Sequence, residues 1–270
     1  MTGSLSGRVA IVTGANHGIG AATAELLAAR GAAVLATYLR FTDDGKSGTP
    51  AAYGAHRART ADDLLADIRT AGGRVVGMEA DLTDPAVPAR VFDAAEAEFG
   101  PVDILVNNAS SWRLDSFRTG VPTSVGRLPT PLTAESIRHN LGVDVIAAAV
   151  LIAEFATRHI TRAASWGRIV GLTSGGAQGF PGEVSYGAAK AAQENFTMAA
   201  ATELAPYGVT ANVVYPPVTD TGWVTDEVRA FVETSAEHVH VAEPGEVAEV
   251  IGYLCSDAAR LLTGNILRLR

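Results

Sequence analysis

Short apolar, β-branched runs recur along the chain, and between them lie longer stretches whose apolar residues return every three or four positions. The runs are VAIVT (9–13), AVLATY (33–38), RVVGME (74–79), DILVNN (103–108), GRIVGLTS (167–174), TANVVY (210–215) and NILRLR (265–270). Near-continuous apolar runs of this length fit strands covered on both faces. The intervening alanine-rich segments, such as GIGAATAELLAARG and AVPARVFDAAEAEFG, carry helical spacing. Strand and helix therefore alternate, which predicts an α/β architecture: a doubly wound, seven-stranded parallel sheet with helices on both faces.

No internal repeat, low-complexity tract or linker divides the sequence, so residues 1–270 are expected to form a single domain. A chain of 270 residues that is 47% hydrophobic can bury a large core. Two connections are longer than βαβ units need, residues 41–60 and 110–131. Loops beyond about 12–15 residues are usually functional or disordered. The second follows the carboxyl end of a strand, where open α/β sheets bind ligands, which makes it a candidate lid.

Charge narrows the choice of partner. A formal net charge of −8 argues against nucleic acid or an anionic membrane surface, both of which call for a basic face, and favours a small soluble ligand. The opening MTGSLSGRVA lacks the basic-then-apolar run of a secretory signal, and no stretch reaches the roughly 18 apolar residues of a membrane span; a cytoplasmic location is expected. Cys255 is the only cysteine, so no internal disulfide can form, and its apolar neighbours suggest a core position. The six histidines show no metal-ligand spacing; His238 and His240 alone are too few, and no metal is expected.

Candidate chemistry begins in the first turn. Gly14, Gly18 and Gly20 lie between a buried strand and an amphipathic helix, where missing side chains let backbone N–H groups approach a diphosphate at the helix's positive end. Further on, SYGAAK (185–190) puts Tyr186 and Lys190 one helical turn apart on one face, so an ammonium could tune a phenol.

The Thr-Gly-x3-Gly-x-Gly spacing of the first turn, LVNNA at 105–109 and Tyr-x3-Lys at 186–190 occur in that order, and with them the chain resembles the short-chain dehydrogenase/reductase family from about Arg8 to Arg270. The resemblance implies a Rossmann-type fold and an NAD(P)-dependent oxidoreductase acting on CH–OH or carbonyl groups, similar to a 3-oxoacyl-carrier reductase. Tyr186 is then the general acid for carbonyl reduction and the base for alcohol oxidation. A free phenol titrates near 10, so bringing it to neutrality takes about three units, roughly 4 kcal/mol. Lys190 and an oxidised nicotinamide would supply it as nearby positive charges.

Ser174, on the preceding strand, is implied to hold the reacting oxygen. Spacing alone would select Thr173, which remains the alternative, while strand alternation turns that neighbour to the other face and favours Ser174. Asp144 stands where the family carries an asparagine in its central helix, and Asn140 lies one turn earlier. The extra charge could bind Lys190 too tightly or alter the phenol's titration.

The implied cofactor contacts are Gly14, Asn16, His17, Gly18, Ile19 and Gly20 in the first turn, then Tyr38 and Arg40 after the second strand. Asp81 and Leu82 follow near the adenine, with Asn107 and Ala109 after the fourth strand. Tyr186, Lys190, Pro216, Val218 and Thr221 complete the set. The second strand ends in LATYLR without an acid, and Arg40 and His17 could meet a 2′-phosphate; NADP is expected, with NAD the alternative if Asp43 and Asp44 fold back. Ser110 and Pro217 replace family glycines. Trp112, Phe180 and Trp223 are substrate-side candidates, suited to an apolar or ring-shaped carbonyl or alcohol, and equally to ordinary packing. Small-residue helices and the family's habit suggest a homotetramer. The alternative to an enzyme is a dinucleotide-binding sensor or interaction protein with little turnover, motivated by Asp144, Ser110 and Pro217.

Overall fold

The computed structural model describes residues 4–41, 49–123, 126–175, 179–236 and 238–270. In chain order the strands are β1 (Val9–Val12), β2 (Ala33–Tyr38), β3 (Arg74–Glu79), β4 (Ile104–Asn107), β5 (Asp115–Ser116), β6 (Thr130–Pro131), β7 (Gly167–Leu172), β8 (Val209–Tyr215) and β9 (Ile266–Arg268). Seven of them form one parallel sheet in the order β3-β2-β1-β4-β7-β8-β9. The strand order reverses between β1 and β4, which opens a crevice beyond their carboxyl ends.

The helices are α1 (Gly18–Ala29), α2 (Ala51–Arg57), α3 (Asp62–Thr70), α4 (Val87–Phe99), α5 (Ala134–Leu141), α6 (Ala148–Thr161), α7 (Val184–Glu203), α8 (Asp226–Thr234) and α9 (Pro244–Leu254). They cover both faces of the sheet. One apolar layer joins Leu27 of α1 and Ile68 of α3 to Ile251 and Leu254 of α9; the other joins Phe92 of α4 and Phe155 of α6 to Leu204 after α7. Each of these side chains would lose about 1.5–3 kcal/mol if exposed, so the inward periodicity of the helices dictates the layering. Cys255 is buried, and burial pushes its thiol up to about 12, out of reach of redox chemistry at neutral pH.

The expected sheet is present, with local departures. The connection 41–60 is not all loop, because its described second half carries α2. The connection 110–131 holds the two-residue parallel pair β5–β6, and the last strand shortens to three residues. Strand β7 stops at Leu172; the Thr173 amide still donates to the Val214 carbonyl of β8 at 3.0 Å, and Ser174 lies beyond the ladder. Between α5 and α6 the helix widens into a π-helical segment over Gly142–Ala147, and Asp144 sits inside it. Such bulges often mark functional sites, since the extra residue redirects side chains.

Against the expectation that no stretch is long and apolar enough to cross a membrane, the continuous helical run Ala134–Thr161 is so by length and composition. Here it is a packing element: it contacts α4 and α7 and carries a buried aspartate that faces a lysine of α7.

Candidate active site

A cavity of about 500 Å³ runs along the crevice from the glycine turn to α7. Its wall at one end is Gly14, Asn16, His17, Gly18, Ile19 and Gly20. Gly14 and Gly18 adopt positive φ (66° and 57°), and a Cβ on Gly14 would stand 2.8 Å from the Ala109 Cα, so the turn closes against β4 only without side chains. Asn108 fastens it by donating from Nδ2 to the carbonyls of Thr13 and Gly14 at 2.8 and 3.0 Å. Helix α1 begins there with no acidic residue in its first turn, leaving its N–H groups and positive end to an anion. Among the described residues the buried His17 Nδ1 has no hydrogen-bond partner. On these grounds the turn fits the diphosphate of a dinucleotide.

Tyr38, Asp81, Leu82, Ala109, Pro216 and Thr221 line the same cavity. Asp81 also ties its own turn, Oδ1 accepting from the Thr83 backbone N–H and hydroxyl. Three expected contacts lie elsewhere. Asn107 is buried behind the wall and donates to the Ala148 carbonyl at the end of the π-helical segment, while its neighbour Asn108 faces the cavity. Val218 is half-buried and lies off the wall, its carbonyl accepting from Ala242 N in the bridge between residues 219 and 242. Arg40 turns outward and is clamped by Glu79, whose carboxylate takes three hydrogen bonds from the guanidinium. Asp43 and Asp44 lie outside the described residues.

The cavity's other end gathers Ser174, Tyr186 and Lys190. Tyr186 and Lys190 share a face of α7, with Nζ 5.6 Å from the phenol ring centroid. The Thr173 hydroxyl donates to Glu194 at 2.6 Å, in keeping with strand alternation, leaving Ser174 as the half-buried hydroxyl where this cavity meets a second one of about 720 Å³.

Lys190 is buried, and its ammonium donates two hydrogen bonds within the protein and forms one ion pair. Asp144 Oδ1 lies 2.8 Å from Nζ, and the Leu172 carbonyl and Gln193 Oε1 each lie at 3.0 Å. Asp144 is itself fully buried, and its Oδ2 accepts from the Ser111 amide at 2.9 Å and hydroxyl at 3.2 Å. This aspartate therefore neutralises the cation that would otherwise lower the phenol's pKa. The Tyr186 phenol stands well above its ordinary value, first because it is buried and next because Asp144 and Glu183 face it; a hydrogen bond with Ser110 opposes the shift.

Asn140 does not reach this cluster. Its Nδ2 donates to Ser185 Oγ at 2.7 Å, and Ser185 in turn donates to buried Asp115, which also accepts from the Ser185 amide at the start of α7. Above the site, Trp112 packs edge-on against Trp223 with centroids 4.4 Å apart, and Tyr53 of α2 packs against Trp223 at 4.8 Å. Trp112 Nε1 donates to Glu183, whose carboxyl is raised chiefly by burial. Phe180 stands 6.1 Å from Tyr186, centroid to centroid. Sequence patterns missed Tyr53, Arg57, Glu183 and the Ser110 contact; only Glu183, just ahead of the Tyr-x3-Lys turn, had a position that hinted at a role.

Among the described residues no group of three His, Cys, Asp or Glu side chains converges on a metal-sized site. His240 faces Glu246 at 3.1 Å, and His238 stacks loosely on Phe231.

A doubly wound sheet with an anion-binding glycine turn at its switch point, and a serine, tyrosine and lysine at the far end of one cavity, defines a nucleotide-dependent α/β oxidoreductase. The chain belongs to the short chain dehydrogenase family, whose model matches residues 8–230, and is accordingly an oxidoreductase of CH–OH and carbonyl groups. It is 38% identical to the cis-4-hydroxycyclohexanecarboxylate dehydrogenase of Sinomonas cyclohexanicum over 96% of this chain and 94% of that protein. It is 33% identical to the 3-oxoacyl-[acyl-carrier-protein] reductase of Escherichia coli over 98% and 97% of the two chains. Among solved structures, a short chain dehydrogenase from Burkholderia cenocepacia in complex with NADP superposes with a TM-score of 0.79 at 31% identity, covering 98% of this chain and 97% of that one.

Proposed function

We propose that this protein is an NADPH-dependent carbonyl reductase whose substrate has an apolar or ring-bearing body. The observation that carries this reading is the single cavity lined at one end by the glycine turn and at the other by Ser174, Tyr186 and Lys190. The bound nicotinamide supplies the hydride. Ser174 donates a hydrogen bond to the substrate oxygen and polarises the carbonyl. Tyr186, kept protonated by burial and by Asp144, then donates its phenolic proton to that oxygen as the alcohol forms. Its proton is replaced through Ser110, which is bonded to the phenol and exposed to solvent. Lys190 and Asp144 hold the foot of this arrangement as a buried ion pair. The aromatic wall of Trp112, Trp223 and Tyr53 excludes water and packs the substrate body.

The relatives support a substrate that is either a cyclic hydroxy acid and its ketone or a 3-oxoacyl thioester, and the aromatic wall favours the ring. Tyr186→Phe tests the reading: carbonyl turnover disappears while NADPH binding persists. A variant that keeps wild-type turnover defeats it. The ion pair of buried Lys190 with Asp144 is the one observation favouring a cofactor-binding protein of low turnover, and in that case no carbonyl in a panel of cyclic and acyl ketones is reduced by the wild-type protein.

We also propose a homotetramer in the cytoplasm. Ile146 is 61% exposed, and with Ile137, Val150 and Phe196 it leaves an apolar outer face along α5, α6 and α7 that a second copy would cover. A monomer at micromolar concentration in sedimentation would rule this out.

A further inference from the structure

Arg40, the cation expected to meet a 2′-phosphate, is committed to Glu79, whereas another arginine projects into the cavity uncommitted. Arg57, the last residue of α2, lines the wall together with Tyr38, Leu39 and Phe41. Its backbone carbonyl accepts from the Phe41 amide at 3.0 Å, which fixes the end of α2 beside the exit of β2. Its guanidinium carbon lies 4.6 Å from the Phe41 ring centroid and 5.8 Å from that of Tyr53. Stacking of this kind holds the planar group through its faces and leaves the N–H donors free around its edge. Among the described residues no carboxylate pairs with Arg57.

His17 stands in the same corner, at the start of α1, and His56 is next to it with ring centroids 6.2 Å apart. Burial, then His56, then Arg57 hold His17 down to about 4. An uncommitted guanidinium with two imidazoles close by, beside a helix N-terminus, is arranged to receive an anion.

We propose that Arg57, on the helix inserted after β2, is the residue that selects NADPH over NADH by gripping the 2′-phosphate, with His17 in the same corner and Arg40 taking no part. This rests on the reading of the cavity as a dinucleotide site. In principle an arginine beside the second strand suits that phosphate, since its fork presents paired N–H donors to two phosphate oxygens. The same interaction would anchor α2, and with it Tyr53 in the aromatic wall, so the phosphate would help order the substrate side of the crevice.

Titration calorimetry on the full chain tests the assignment with adenosine 2′,5′-bisphosphate and adenosine 5′-monophosphate, then with NADPH and NADH. The expected result is that Arg57→Ala weakens the 2′-phosphorylated probe and NADPH by roughly 30-fold or more and leaves the monophosphate and NADH within about twofold, that Arg57→Lys recovers part of the loss, and that Arg40→Ala behaves as wild type. Equal weakening of both pairs by Arg57→Ala and Arg57→Lys would make Arg57 a structural part of α2, and a selective loss in Arg40→Ala would return the role to that residue; either overturns the proposal. A wild-type protein that binds NADPH and NADH equally overturns the specificity claim while leaving the oxidoreductase reading intact. One that binds neither overturns both.

Discussion

Lys190 and Arg57 both reach the crevice, and they live in opposite circumstances. Lys190 is sealed from solvent, donating to a carbonyl and an amide oxygen and ion-paired with an aspartate. Arg57 is supported by aromatic faces, and among the described residues no acid meets its edge. A buried charge costs several kcal/mol to desolvate and is kept only with its partners, so Lys190 now belongs to the scaffold as much as to the chemistry. An arginine stacked on rings keeps its donors for something that arrives later. The comparison teaches that the motif residue has been absorbed into an internal ion pair, while Arg57, outside every motif, stays open to a ligand.

The largest effect expected is that of Tyr186→Phe, which should lower kcat by about 10²–10⁴-fold with NADPH affinity kept, as measured by steady-state rates and calorimetry. If proton transfer ran through another group, the rate would barely change, and the contrast between a scaffold lysine and a working tyrosine would collapse.

Next comes Lys190→Met. It strands Asp144 as a buried carboxylate without its cation and should lower unfolding free energy by about 3–5 kcal/mol in urea denaturation at fixed protein concentration. The double variant Lys190→Met/Asp144→Leu should recover most of that loss. If the double variant is as unstable as the single, the ion pair is not what holds this end of the site.

At the other end, His17 links stability to pH. Its folded value of about 4 lies below the ordinary 6.5, so the unfolded chain takes up the proton first. The stability this group contributes is complete above pH 6.5 and is lost as pH falls towards 4. The difference of about 2.5 units corresponds to roughly 3 kcal/mol. His17→Gln should flatten that part of the curve, and an unchanged slope would show that the histidine is not held neutral.

The smallest effect concerns Asp144→Asn. Removing the carboxylate takes away a charge that disfavours the phenolate, so the rising limb of alcohol oxidation should move to lower pH, while carbonyl reduction near neutrality changes about twofold or less. A difference titration of tyrosinate absorbance against Tyr186→Phe reads the same shift without turnover. If the limb stays in place, Asp144 acts on Lys190 alone and does not reach the phenol.

Much of the protein is legible in its sequence. The alternation of apolar runs and helical spacing is local and obeys the periods of strand and helix, so seven strands and their parallel arrangement follow from it. The first glycine turn and the Tyr186–Lys190 face are legible for the same reason, because their geometry depends on residues within one turn. The preference for Ser174 over Thr173 also comes from strand alternation; both line the cavity, and the Thr173 hydroxyl donates to Glu194.

What depends on residues distant in sequence is not legible there. Nothing in LATYLR says that Arg40 would meet Glu79 on the neighbouring strand, since only the β2–β3 register brings them together. Nothing in AHRART says that Arg57 would return to the mouth of the cavity, since that follows from where α2 docks. The charge at Asp144 is visible in the sequence, but its closure onto Lys190 requires α7 to lie against the π-helical segment. Local sequence determines elements because the backbone's preferences are short-ranged; pairing of charges is decided by packing, because only the tertiary structure removes the water that would otherwise keep them apart.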